Sequence, residues 1–360
     1  MKRILFLTQG DRQAPSSRYR VYQYLPMLEK AGLEAVVHPG LTFAEFHDTL
    51  TVEHWREGLQ RIFRTFTRRV RDLHQLRDFD YVYVQRPILP APFFNMELRI
   101  ARESRLIFDL DEAIFVKRSG GMFPLNLWPQ AKRVSTICRR SHRVVVASEA
   151  LAQFVRRAGI EAVVLPSVVD TAAFAEGSQV SKHAHKIPVL GWVGTAVVQS
   201  DLKLVVPSLI DLHSKAPFVV RVLGGAAYSL PVRFPIEWKA WDAETEISEI
   251  AHLDIGLAPL EESEWNRYES GLRILQYWAA GVPVVASPVG IQSHLIRDGE
   301  NGLFATNRRQ WTENLLLLMK DLNLTRRLIA AGRKMVQEKY SLEAVGPRFL
   351  SIFQEPEKTG

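Results

Sequence analysis

Ten short apolar runs, most of them rich in β-branched residues, recur along the chain with helix-length segments between them, and this rhythm leaves little choice of architecture. In the first half the runs are RILFLT (3–8), LEAVVH (33–38), YVYVQ (81–85), RLIFDL (105–110), RVVVAS (143–148) and AVVLP (162–166). Segments 20–31, 55–77, 92–104, 128–141 and 149–158 between them carry helical periodicity. Apolar strands alternating with helices predict a parallel sheet covered on both faces, because each parallel crossover needs a helix to return the chain.

The rhythm stops at 176–186, EGSQVSKHAHK, which reads as a linker, and then restarts. VLGWVG (189–194), FVVRVLG (218–224), DIGLAPL (254–260) and VPVVAS (282–287) are the next strands. Helices are expected at 200–214, 244–252, 271–280, 308–320 and 324–339. The expected organisation is α/β, with two doubly wound, Rossmann-like domains at 1–175 and 187–340 and a terminal segment 341–360 beyond them. A chain of 360 residues suits two such cores. In open α/β sheets ligands collect beyond the carboxyl ends of the strands, where the strand order reverses, so a cleft is expected along those ends of both sheets.

Composition narrows the function classes. Cys138 is the single cysteine, which excludes an intrachain disulfide and favours a reducing compartment. The apolar start MKRILFLTQG breaks too soon for a signal-peptide core and reads as a first strand. No run approaches the ~20 apolar residues of a membrane span; a cytoplasmic protein is expected. Residues 1–180 hold 26 Lys and Arg against 19 acids, whereas 181–360 hold 20 against 20, so the whole excess of seven sits in the first half. Without zinc-finger spacing or an RNA-binding aromatic motif, that excess points away from nucleic acid and toward an anionic membrane or a phosphate-bearing substrate. Segment 55–77 is the natural candidate surface: Trp55, Leu59, Ile62, Phe63, Phe66, Val70 and Leu73 share one face, with Arg56, Arg61, Arg64, Arg68 and Arg71 on others. A core helix with a solvated basic face is the favoured reading, and a helix lying on an anionic membrane the alternative.

The segment with most chemistry is 268–290, YESGLRILQYWAAGVPVVASPVG. Ser270 and Gly271 open a helix straight after a loop, and the free N–H groups and positive dipole end there suit a diphosphate. Gly271 would let the backbone approach a ligand, and one turn on Gln276 could reach a ribose hydroxyl. Any α/β protein has helix-to-strand units of this general kind, so spacing alone leaves a packing role open.

This segment resembles the nucleotide-binding region of glycosyltransferase family 4, retaining enzymes of the GT-B fold, and more closely a branch with "GLKLLQYMAAGLPVVASPVG". Gly271 and Leu272 match the glycine–leucine pair, and Ala280 to Val285 match the tail. Gln276 stands where a second glutamate is usual; the first glutamate's slot holds Tyr268, with Glu269 beside it. The stretches 16–32, 80–86, 106–115, 165–174, 241–265 and 298–304 are similar to the same branch in the same order. The resemblance implies a GT-B arrangement whose final helix, in 341–360, crosses back to the first domain, and a hexosyltransferase-like, retaining enzyme, as in polysaccharide biosynthesis. It would use a nucleoside-diphosphate sugar as donor substrate, no other cofactor, and a glycan, lipid-linked or small-molecule acceptor. The Arg and Lys that usually follow the first strand of the second domain are absent: after Gly194 come Thr195, Gln199, Ser200 and Lys203. Lys203, Arg267 or Arg273 is therefore expected to supply the missing cation, or backbone amides to do more of the binding.

Asp109, Asp111 and Glu112 end a strand in the first domain. The pattern D-x-D can hold a divalent metal and a diphosphate, or belong to a phosphatase strand; the resemblance instead implies an acceptor-facing acidic cluster, and a solvated helix-capping loop is the bland alternative. The catalytic candidates are thus Asp109, Asp111, Glu112 and Glu269. The donor-binding candidates are Gly10, Gly194, Thr195, Lys203, Arg267, Ser270, Gly271, Leu272 and Gln276. Arg18 and Arg86 are candidate contacts to a phosphate or to the acceptor, and no metal ligand set appears among the scattered histidines. A catalytically silent nucleotide-sugar binder or scaffold, and an epimerase or hydrolase on the same fold, remain as rival readings.

Overall fold

The computed structural model describes residues 1–42, 55–89, 95–116, 130–177, 187–194, 196–224 and 232–354. The chain divides into two compact units: Met1–Ser167 with Tyr268–Ser270 and Val345–Gly360, and Val168–Arg267 with Gly271–Ala344.

The first unit is built on β1 (Arg3–Gly10), β2 (Glu34–Leu41), β3 (Tyr81–Gln85), β4 (Arg105–Leu110), β5 (Arg143–Val146) and β6 (Val163–Val164). All pair in parallel, in the order β2-β1-β3-β4-β5-β6. The chain passes from β1 to β2 on one side and then crosses to β3 on the other, so the order reverses between β1 and β3. Alternation along β1 sends Leu5 and Leu7 to a core shared with Val82, Val84, Phe108, Ile100, Val134 and Leu151. Phe6 faces the other way, where Tyr24, Tyr83, Phe349 and Phe353 surround it; Tyr24 and Phe349 stack with centroids 4.1 Å apart. That aromatic nest is why the end of the final helix, Leu342–Ser351, belongs to this unit.

Two expectations need correction here. The helix read through 20–31 is instead a helix Pro15–Arg20, a 3-10 turn Tyr22–Tyr24 and a second helix Leu25–Lys30. Pro26 has no N–H to continue an unbroken hydrogen-bond ladder, and it sits in the first turn of the second helix, where none is needed. The helix Trp55–His74 keeps Phe66, Val70 and Leu73 of the expected apolar face inward, but is rotated so that Phe63 of that face is left out. Thr65, Arg69, Asp72 and Leu73 are buried, Phe66 and Val70 pack against the core, and Phe63 is 66% exposed. Arg69 drives the rotation, because its guanidinium donates to the carbonyls of Thr8 (2.6 Å) and His38 (2.8 Å) and to Asp72 (3.0 Å). The side chains of Trp55, Arg56, Leu59, Arg61 and Ile62 lie outside the described residues.

The second unit repeats the plan with β7 (Val189–Val193), β8 (Val219–Leu223), β9 (Ile236–Lys239), β10 (Ile255–Ala258), β11 (Val284–Ala286) and β12 (Leu303–Phe304). These are again all parallel, in the order β12-β11-β10-β7-β8-β9, which reverses between β7 and β10. Trp192, Val220, Val222, Leu257 and Val285 meet Leu209, Leu212, Trp311 and Leu315 in its core. The helix expected at 200–214 is a 3-10 stretch Ala196–Leu204 followed by a helix Val206–His213, whose start is set by Pro207. Before β7, the helix Thr171–Gly177 precedes 178–186, the greater part of the expected linker, which lies outside the described residues. Among the described residues no helix is long and apolar enough to cross a membrane.

Candidate functional site

In the second unit the reversal point is framed by the end of β7, the loop after β10 and the helix Leu272–Ala280. That helix starts on Gly271 at φ +72°, a left-handed N-cap that offers no side chain to the first turn. A Cβ on Gly271 would press on Leu295 and Ile291, so packing and backbone hand already require glycine here, whatever approaches from outside. The helix ends on Gly281, also left-handed at φ +69°, with Val282 N–H returning to the Tyr277 carbonyl at 2.8 Å. The Tyr277 hydroxyl lies 3.0 Å from the Gly191 carbonyl and accepts from Val193 N–H at 3.2 Å, which pins the helix across β7.

Gln276 is buried, and its Nε2 donates to Glu246 Oε1 at 3.0 Å. The same oxygen accepts from Trp241 Nε1 at 2.9 Å. The glutamine expected to meet a ribose hydroxyl is thus tied to a buried carboxylate that sequence reading did not single out. The signal was there: Glu246 lies one helical turn before Ile250 on the buried side of the helix Glu246–Ala251. Arg273 is 7% exposed and lies over the ring of Trp192, 4.9 Å from its centroid. Trp192 in turn requires Gly194, where a Cβ would strike the six-membered ring. Of the other candidates, Leu272 and Ser270 are half-buried, Lys203 is exposed, and Arg267 is 63% exposed in an ion pair with Glu262. Glu269 is half-buried, and with Tyr268 and Ser270 it groups with the first unit. Thr195 lies outside the described residues.

In the first unit a polar network sits at the carboxyl ends of β1, β3 and β4. Gly10 N–H donates to Ser17 Oγ (3.0 Å), whose hydroxyl donates to Gln85 Oε1 (2.8 Å). A Cβ on Gly10 would overlap Ala14, so this glycine is fixed by packing against the first helix. Gln85, polar at the end of the apolar run YVYV, is a further site residue that sequence reading passed over.

The three acids of the cluster divide by exposure. Asp109 has no accessible side chain and is gripped by Arg20, with Nε to Oδ2 at 3.0 Å and Nη2 to Oδ1 at 2.5 Å. Burial works against the charge on both partners and raises the Asp109 pKa, while the Asp109 charge and hydrogen bond hold the Arg20 pKa well above its ordinary value. Asp111 is 6% exposed and pairs with Arg86, whose Nη2 reaches Oδ2 at 2.7 Å. Burial would raise the Asp111 pKa; the Arg86 charge and hydrogen bond outweigh it and hold the carboxyl below the usual range. Glu112, 43% exposed, also meets Arg86, at 3.0 Å. Arg86 adopts φ +60°, rare for a residue with a side chain, directly after β3 at the reversal point. Arg18 is half-buried, with its guanidinium over the ring of Tyr19. Among the described residues no three His, Cys, Asp or Glu form a metal-binding group. Glu112 is thus the most exposed of the three acids, while Asp109 is locked into the interior.

Residues 187–321 match the protein family described as Glycosyl transferases group 1. No curated protein matches the chain in sequence. Solved structures match over essentially its whole length. A glycosyltransferase from Rickettsia africae aligns at 14% identity over 100% of both chains, with a TM-score of 0.69. Sucrose-phosphate synthase from Thermosynechococcus elongatus aligns at 14% identity over 98% of both chains, with a TM-score of 0.67. Anabaena Alr3699/HepE, solved with UDP and glucose, aligns at 13% identity over 98% of this chain and 99% of that one, with a TM-score of 0.65. The two parallel sheets with their helices form an α/β fold of the GT-B type.

Proposed function

We propose that the chain is a glycosyltransferase that moves a sugar from a nucleoside-diphosphate donor to a glycan, lipid-linked or small-molecule acceptor, with retention at the anomeric carbon. The observation that carries this reading is the helix opened by left-handed Gly271 at a sheet reversal point, inside the segment similar to Glycosyl transferases group 1. Free N–H groups of the first turn suit the leaving diphosphate, whose developing charge they would stabilise. The complex of the Anabaena neighbour with UDP makes a uridine donor the first to try.

In this reading Gly194, Ser270, Gly271 and Leu272 line the donor's phosphates, and the Gln276–Glu246 pair shapes the wall beside them. Arg86 and Glu112 meet the acceptor, and Asp111 acts through Arg86 by fixing its orientation. The guanidinium partners of Asp109 and Asp111 favour a reaction that uses no divalent metal at the D-x-D pattern.

A thermal-shift panel of UDP-, GDP-, ADP- and dTDP-sugars tests the donor class. A donor at 100 times its dissociation constant adds about 2.7 kcal/mol of stability, enough to raise the midpoint by several degrees. Indifference to every sugar nucleotide at millimolar concentration would contradict the reading.

A further inference from the structure

Among the described residues, Arg273 is a buried cation that no carboxylate meets in an ion pair. Its side chain rises from the first turn of the helix Leu272–Ala280 and lies over Trp192, at the carboxyl end of β7. Only 7% of the residue is exposed, and Nε and Nη1 have no hydrogen-bond acceptor among the described residues. Other buried guanidinium groups among the described residues are matched, as Arg20 is by Asp109, Arg69 by Asp72 and Arg133 by Glu97. The parts of this unit outside the described residues, 178–186, 195 and 225–231, contain no Asp or Glu. Every carboxylate of the unit is therefore among the described residues, and none forms an ion pair with Arg273.

An unmatched charge taken out of water is costly, and a fold keeps one where something else brings the opposite charge. Arg273 is held ready for it. The indole face beneath favours the cation and restrains the flat guanidinium. The helix start beside it adds dipole of the same sign. The two other cations considered for this role are unsuited, since Lys203 is exposed and Arg267 is largely in solvent with Glu262 already beside it.

We infer that Arg273, stacked on Trp192, is the cation that receives the diphosphate of the donor, in place of an arginine–lysine pair after β7. The inference rests on the proposed function and adds the residue that neutralises the leaving group. A guanidinium fork can offer two parallel N–H bonds to phosphate oxygens, where an ammonium offers a point charge.

The test compares wild type with Arg273→Met and Arg273→Lys, using inorganic pyrophosphate, the four nucleoside diphosphates and their parent nucleosides as probes. For Arg273→Met, affinity for pyrophosphate and for the preferred nucleoside diphosphate should fall about 10- to 100-fold, the range of a charged hydrogen bond. Affinity for the parent nucleoside should not change. Arg273→Lys should recover part of the loss. The ligand-free melting midpoint of Arg273→Met should hold or rise, because an uncompensated buried charge has been removed. A lowered midpoint in both variants would mean that the guanidinium serves the fold, and would overturn the inference. Equal pyrophosphate and nucleoside diphosphate affinity in wild type and Arg273→Met would overturn it while leaving the glycosyltransferase reading intact. Failure of wild type to bind any of the diphosphates would overturn both.

Discussion

Asp109 on β4 and Asp111 just beyond its end carry the same charge, yet meet arginines in different settings. Asp109 points into the interior, where Arg20 also donates to the Leu165 carbonyl and so ties the first helix to the chain just after β6. Asp111 lies nearer the rim, and Arg86 holds its carboxyl below the ordinary 3.8. A depressed carboxylate pKa stabilises the folded state at pH values above the unfolded pKa, and that contribution is lost as pH falls through the folded one. The unfolding free-energy difference between wild type and Asp111→Asn should therefore be constant from neutral pH down to about 5 and shrink below 3.8. Urea titrations at a series of pH values measure it, and a difference that grows on acidification would refute the ion-pair account. Sequence reading found these acids because they end a buried strand, but it could not sort them, since their burial depends on which arginine the first helix and the turn after β3 deliver. Glu246 was missed although it lies on the apolar side of its short helix, because an acid in the same first turn as Glu249 looks solvated until its partners Trp241 and Gln276 are placed beside it.

Among the elements, the helix Leu272–Ala280 carries the most consequence. Both its ends are glycines with positive φ, so its length and its entry angle are fixed by backbone hand. Gly271→Ala would force a Cβ into the left-handed region and against Leu295 and Ile291. The strain and overpacking should cost about 2–4 kcal/mol of stability. Chemical denaturation measures this directly; a loss under 0.5 kcal/mol would mean that the start of this helix yields easily. The strands flanking it were legible because continuous apolar runs are what doubly covered parallel strands require. β9 was not, because IEWK at a sheet edge is half-exposed and carries no such run, and neither was the two-residue β12 at the other edge. The helix Trp55–His74 shows the limit of apolar periodicity: Arg69 goes inward because three acceptors await it, and Phe63 is left outside.

For the molecule as a whole, the division into two α/β units follows from a strand–helix rhythm that stops and restarts, and the sequence carries it openly. The return of Val345 and the following residues to the first unit rests on Phe349 and Phe353, whose meeting with Phe6, Tyr24 and Tyr83 no local pattern announces. The excess of positive charge lies in the half of the sequence that holds the proposed acceptor residues, as a phosphate-bearing or membrane-linked acceptor would favour. Transfer from a sugar nucleotide, with retention and without a metal, is the central claim, and turnover of the donor tests it most directly. The sugar nucleotide that stabilises the protein most is incubated with it in excess EDTA and followed by proton NMR. The account predicts release of the nucleoside diphosphate together with a sugar product that first appears in the anomeric configuration of the donor. Tight binding with no diphosphate release, with water or with a panel of sugar, glycan and lipid-linked acceptors, would contradict it and leave a protein that holds sugar nucleotides without transferring them.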